Sequence, residues 1–217
     1  MRIRHPAGHP RGAVRKLVSL AVFATVLAGC QAGEDVTKEV DVVGQSAMAL
    51  PELKKLTFGG DFVLTDQNGA MFDTATLRGK IVFLFFGFTT CPDACPMTLS
   101  KIASVYALLG NEASSLRTVF VSVDPERDTP EKLKVYLSYY DLPVVGLTGT
   151  AEEIKSVAGD YGVYYSKSEE ETAAGYLIDH ATLVYLIDQG GKLRYLSHLQ
   201  DSPEMLAGLV RKVLAEG

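Results

Sequence analysis

"KIVFLFFGFTTCPDACPMTLSKIASVYALL", residues 80–109, decides the fold. Its first part is a continuous apolar run rich in Ile, Val and Phe. Such a run does not alternate between faces, so it predicts a strand buried on both of them. Leu99, Ile102, Tyr106 and Leu109 then recur at helical spacing, and Gly110-Asn111 closes that helix. Between strand and helix lie Cys91 and Cys95, each followed at once by proline. Pro96 would lack a donor and crowd the preceding turn inside a helix, which predicts a regular helix from Pro96 and a loop over Cys91–Cys95.

The rest of the chain repeats this strand and helix alternation. "DFVLTDQNGAMF" (61–72) sets Asn68-Gly69 between apolar stretches and reads as a hairpin. "LRTVFVSVD" (116–124) is a second buried strand, and Thr129-Pro130 opens a helix with the stripe Leu133, Tyr136, Leu137 and Tyr140. A short strand, "PVVGLT" (143–148), precedes a helix announced by the Thr150/Glu153 capping box. "ATLVYLID" (181–188) and "KLRYLSH" (192–198) flank a glycine turn as a second hairpin, and Ser202-Pro203 caps a closing helix. Parallel crossovers followed by an antiparallel hairpin and a last helix describe an α/β protein. Its simplest form is a thioredoxin-like fold: a mixed central sheet with helices on both faces and an added N-terminal hairpin.

In that arrangement the two cysteines sit at the carboxyl end of a central strand, where open α/β sheets place their sites. Unpaired N–H groups at the helix start favour thiolate, which is both the nucleophile and the metal-binding form. Near-helical spacing separates their α-carbons by about 6 Å, so a disulfide is also allowed. The pair is thus suited to redox exchange, metal binding or a structural bridge.

The N-terminal segment bears on the compartment. Arg2, Arg4, Arg11, Arg15 and Lys16 precede "LVSLAVFATVLAG", a run of 13 residues that ends at Cys30. This is a secretory signal, too short for a spanning helix. "VLAGC" (26–30) resembles the lipobox of bacterial lipoproteins, which makes Cys30 the lipid attachment point and accounts for the odd cysteine. The expected organisation is a signal peptide over 1–29, a tether over 30–55 and one domain over 56–217. The domain is then lipid-anchored at the periplasmic face of a bacterial membrane. Removing the leader leaves 16 basic against 26 acidic residues, a formal charge near −10, which argues against a nucleic-acid partner.

"GFTTCPDACPMTL" (87–99), "SVDPERDTPEKLKVY" (122–136) and "IDHATLVYLID" (178–188), in this order, resemble the three signature segments of the Sco/SenC family. The resemblance implies a thioredoxin-like copper-handling protein that assists cytochrome c oxidase assembly. It implies one copper, as Cu(I) or Cu(II), held by Cys91, Cys95 and His180. The implied partner is the dinuclear copper site of oxidase subunit II or another periplasmic copper protein, which receives copper or has its cysteines reduced. As a redox pair, Cys91 and Cys95 would also serve a thiol-disulfide reductase. Two thiolates and an imidazole suit copper independently of the resemblance, whereas structural zinc would require a fourth ligand.

Asp124, at the end of a buried strand, is a candidate to orient His180 or tune the metal's charge, or else to cap the turn before Pro125. Asp93 reads as a recognition residue or a turn former, Tyr164 and Tyr165 as packing residues, and His198 as structural or exposed. If Cys30 carries the lipid, a Cys30→Ser chain should be released to the soluble periplasmic fraction with its domain folded. Its retention in membranes with the leader intact would show an uncleaved anchor instead.

Overall fold

Strand β3 (Ile81–Gly87) is buried at every one of its residues. The computed structural model, which describes residues 50–172 and 175–217, explains why. One edge of β3 pairs in parallel with β4 (Leu116–Ser122), Ile81 opposite Leu116 and Gly87 opposite Ser122. The other edge pairs antiparallel with β8 (Val184–Ile187). Around these lie β1 (Val63–Asp66), β2 (Met71–Asp73), β5 (Val144–Thr148) and β9 (Leu193–Ser197). The seven strands run in the order β2-β1-β5-β4-β3-β8-β9, with β3, β4 and β5 parallel and the remaining neighbours antiparallel.

Alternation along β3 divides the core in two. Ile81, Phe83 and Phe85 pack with α1 (Ala94–Leu109), α2 (Pro130–Leu137) and α4 (Pro203–Glu216). Val82, Leu84 and Phe86 face α3 (Ala151–Asp160) through Ile154, Val157 and Ala158. Helices therefore cover both faces of the sheet, and none among the described residues is long and apolar enough to cross a membrane.

The local signals take the forms read from sequence. Thr129 and Ser202 accept from the N–H groups of Lys132 and Met205, and the Thr150/Glu153 box is complete. In the first hairpin Asp66 Oδ1 accepts from Asn68 and Ala70 while Gly69 adopts φ 80°.

Three features depart from expectation. Strands β6 (Tyr165–Thr172) and β7 (Gly175–His180) form a separate antiparallel pair that the sequence reading left out. "SKSEEET" is rich in residues depleted from strands, so local propensity concealed it. Consequently His180 closes β7, and the next strand starts at Val184 rather than near Ala181. The tether, expected to continue to Lys55, already joins the domain at Leu53, which packs against the helical core, and the Lys54 N–H donates to the Arg194 carbonyl at 3.1 Å. The proposed leader, Cys30 and the tether up to residue 49 lie outside the described residues.

An aromatic group locks the α3 face. Tyr161 stands edge-on to Tyr185 at 5.4 Å and to Phe62 at 5.9 Å, and its hydroxyl donates to the Gly60 carbonyl at 2.7 Å. Denaturant unfolding should show Tyr161→Phe losing about 1 kcal/mol for the lost hydrogen bond. Tyr161→Ala should lose about 3–5 kcal/mol for the cavity.

Candidate metal centre

The helix bearing Cys95 begins at Ala94, two residues before the expected start. Pro96 is tolerated there because the first four helical N–H groups have no acceptor within the helix, so its missing donor removes no bond. Cys91 sits in the preceding turn, its N–H donating to the Phe88 carbonyl at 3.2 Å. Cys95 is 1% exposed and Cys91 half-buried, and both are free thiols. A Cβ on Gly87 would stand 2.6 Å from Cys95 Sγ and 2.9 Å from Phe120 Cε2. Glycine at this position is what lets the sulfur rest against the strand.

His180 arrives from β7, paired with Tyr165, and its ring meets that of Phe88 edge-on at 5.5 Å. Nε2 lies 3.8 Å from Cys95 Sγ, and Nδ1 lies 3.0 Å from the Ala181 carbonyl oxygen. A carbonyl only accepts, so Nδ1 presents an N–H to Ala181, and Nε2 faces the sulfurs. One ligand atom each from Cys91, Cys95 and His180 lies within 4.8 Å of the others. The cluster thus joins two residues four positions apart to one at least 85 residues away.

The two thiols are unlike. A hydrogen bond from Cys95 holds the Cys91 thiol far below its ordinary pKa, and His180 and the N–H groups of Asp93 and Cys95 add to this against the effect of burial. Cys95 is pushed up, by that same hydrogen bond, by burial and by the charge of Cys91. The pair therefore holds one accessible thiolate and one enclosed thiol. It can bind a soft metal, or it can form a disulfide after Cys91 attacks an electrophile.

Asp124 is not bonded directly to the imidazole. Its carboxylate is engaged by Arg127 Nε and, at 2.7 Å, by the Tyr176 hydroxyl, while the Ala181 carbonyl takes the His180 N–H. Its backbone carbonyl closes the turn by accepting from Arg127 and Asp128. The sequence reading missed Asp128, which is fully buried and accepts from the Thr89 N–H at 2.9 Å and the Ser122 hydroxyl at 2.7 Å. It ties the cysteine loop to the end of β4. An acid shortly after a buried strand was the available signal, but its partner Thr89 lies 39 residues back. Asp93 is exposed and makes no side-chain cap. Tyr165 packs on the core as expected, whereas Tyr164 is 74% exposed and does not. His198 is exposed, away from this cluster.

A family model described as SCO1/SenC matches residues 51–215. The chain belongs to the SCO1/SenC family. An SCO2-like protein of Rickettsia conorii is 37% identical over 178 residues, covering 81% of this chain and 84% of the relative. The copper-bound structure of ScoI from Bradyrhizobium japonicum is 40% identical with a TM-score of 0.66, over 72% of this chain and 99% of the other. Copper-bound ScoI of Arabidopsis thaliana is 37% identical with a TM-score of 0.69, over 74% and 100%. The thioredoxin-like fold is that of these Sco structures.

The difference between the thiols of this Sco domain is measurable by alkylation. A lowered pKa leaves Cys91 a thiolate at and below neutral pH, so its reaction with iodoacetamide should be nearly independent of pH from about 5 to 8. Cys95 should react far more slowly throughout. Equal rates for the two sulfurs, rising together near pH 8.5, would contradict the asymmetry.

Proposed function

We propose that this chain binds one copper ion through Cys91 Sγ, Cys95 Sγ and His180 Nε2 and supplies it to a partner during cytochrome c oxidase assembly. The dinuclear copper site of subunit II is the favoured acceptor, with another periplasmic copper protein as the alternative. The convergence of these three donor atoms within 4.8 Å carries the reading. Two sulfurs and one imidazole nitrogen form a soft donor set suited to Cu(I) and able to hold Cu(II). Among the described residues no further His, Cys, Asp or Glu joins the cluster, which disfavours a closed structural zinc site. The copper-bound Bradyrhizobium and Arabidopsis relatives support the choice of metal.

Each residue has a definable task. Cys91 offers a thiolate ready to bind, Cys95 gives up its proton on binding, and the Ala181 carbonyl keeps Nε2 of His180 available. Three donors leave the metal short of tetrahedral closure, so an acceptor thiolate can join before a donor departs. We further propose that the domain works at the periplasmic face of the membrane, tethered through lipid on Cys30.

A second reading is favoured by the unequal free thiols. As a reductase, the Cys91 thiolate would attack a partner's disulfide and release one of its thiolates. Cys95, losing its proton, would then displace the other, leaving a reduced partner and a Cys91–Cys95 disulfide.

His180→Ala separates the two. Copper affinity should fall by more than the ~10–100-fold that losing an outer-shell partner costs, most steeply for Cu(II), while the Cys91–Cys95 disulfide still forms. In cells, oxidase assembly should fail at low copper and recover partly when copper is added. Normal assembly at low copper by His180→Ala, alongside failure of Cys91→Ser, would exclude copper delivery and leave thiol reduction.

A further inference from the structure

The hairpin that carries His180 makes no ladder with the seven-stranded sheet among the described residues. Its hold on the cysteine side of the molecule must therefore come from side chains, and one residue reaches every piece involved. The guanidinium carbon of Arg127 lies 3.7 Å from the centroid of the Tyr176 ring in β7, and Nη1 donates to the Tyr176 carbonyl at 2.9 Å. Nε is paired with Asp124, which is 2% exposed at the end of β4. The same guanidinium stands 5.9 Å from the Phe88 ring, and Phe88 is the ring that meets His180 edge-on. Tyr176 is held from its other end by its hydroxyl, which donates to Asp124 at 2.7 Å. Lys167 of β6 lies 4.5 Å from the same ring and pairs with Glu126 at 2.7 Å.

We propose that Arg127 is a positioning residue for the metal centre, clamping the β6–β7 hairpin to the β4–α2 turn so that His180 Nε2 is held against Cys91 and Cys95. This rests on the copper reading for its consequence, though not for its geometry. The planar guanidinium is required because one group must pair with Asp124, donate to a backbone carbonyl and cover an aromatic face at once. Lysine can neutralise Asp124, but its compact ammonium cannot do the other two together. The burial of Asp124 gives the clamp its strength, since an unpaired carboxylate there would be costly. Without the clamp the hairpin is left to the packing of Ile178 and Tyr165 on the core and to its chain connections. The sulfurs keep their places, because the Gly87 and Asp128 contacts do not involve Arg127.

The test uses the full chain, reduced and metal-free, as wild type, Arg127→Leu and Arg127→Lys. Three quantities are read: amide hydrogen exchange over residues 165–180, Cu(II) and Cu(I) affinity, and the rate of Cys91–Cys95 disulfide formation. Arg127→Leu should exchange its hairpin amides at least about 10-fold faster and lose about 10–100-fold in Cu(II) affinity, as for other outer-shell partners. Cu(I), which two thiolates can hold, should lose less, and the sulfur-to-Cu(II) charge-transfer band should shift. Disulfide formation should stay at the wild-type rate, and Arg127→Lys should recover little of either loss. Wild-type exchange and Cu(II) affinity in Arg127→Leu, or full recovery in Arg127→Lys, would overturn the proposal. If Arg127→Leu fails to fold, Arg127→Lys decides alone: wild-type behaviour refutes the guanidinium's role, and faster exchange with weaker Cu(II) binding supports it. If the wild-type chain itself binds no copper, the functional reading falls, and hairpin exchange still decides whether Arg127 is the clamp.

Discussion

The metal centre depends on the enclosure of β3. With strands on both edges and helices on both faces, a slip of one residue would move Phe83 and Phe85 from one core into the other, so the register is strongly fixed. Fixing the register fixes where the strand ends, and the Val123 N–H donating to the Gly87 carbonyl at 2.8 Å marks that point. The bare α-carbon of Gly87 then serves as the seat for Cys95 Sγ. Asp128 anchors Thr89 on the outward path to Cys91. Packing far from the site thereby sets the position of both sulfurs before any ligand is present.

His180 is positioned by a different kind of force. The cysteines inherit their places from buried apolar surface, whereas the histidine rides on a hairpin that adds to the core packing of Ile178 and Tyr165 a set of polar and aromatic attachments. Apolar burial is nondirectional and large, while a guanidinium stack and a few hydrogen bonds are directional and smaller. The two halves of the donor set thus differ in how firmly they are held, and the imidazole is the part more easily perturbed.

This division also explains what the sequence made legible. The buried strand β3, the three capped helices and the glycine turn of the first hairpin are local patterns, and they appear where composition and spacing place them. The cysteine pair was legible for the same reason, being five consecutive residues at the end of a buried strand. His180 came from the family resemblance rather than from its surroundings, because β6, the strand that pairs with the one delivering it, is written in charged residues with poor strand propensity. Asp128 and Arg127 were hidden because their partners, Thr89 and Tyr176, lie 39 and 49 residues away. A side chain that acts by bridging elements has no period, and no spacing rule exposes it.

Copper binding and thiol exchange draw on one apparatus. Both need Cys91 as thiolate, and both need Cys95 to surrender a proton that burial and its neighbour make hard to release. Copper binding draws in addition on His180, whose Nε2 lies 3.8 Å from Cys95 Sγ. The two outcomes exclude each other at any instant, because a Cys91–Cys95 disulfide uses both sulfurs and leaves no thiolate for a metal. If Cys91, Cys95 and His180 hold the copper as proposed, the site is switched by the redox state of its own sulfurs. Oxidation would discharge bound copper, and recharging would require a reductant before it required copper. On that proposal the supply of electrons to Cys91 and Cys95 would govern metal loading as directly as the supply of metal does.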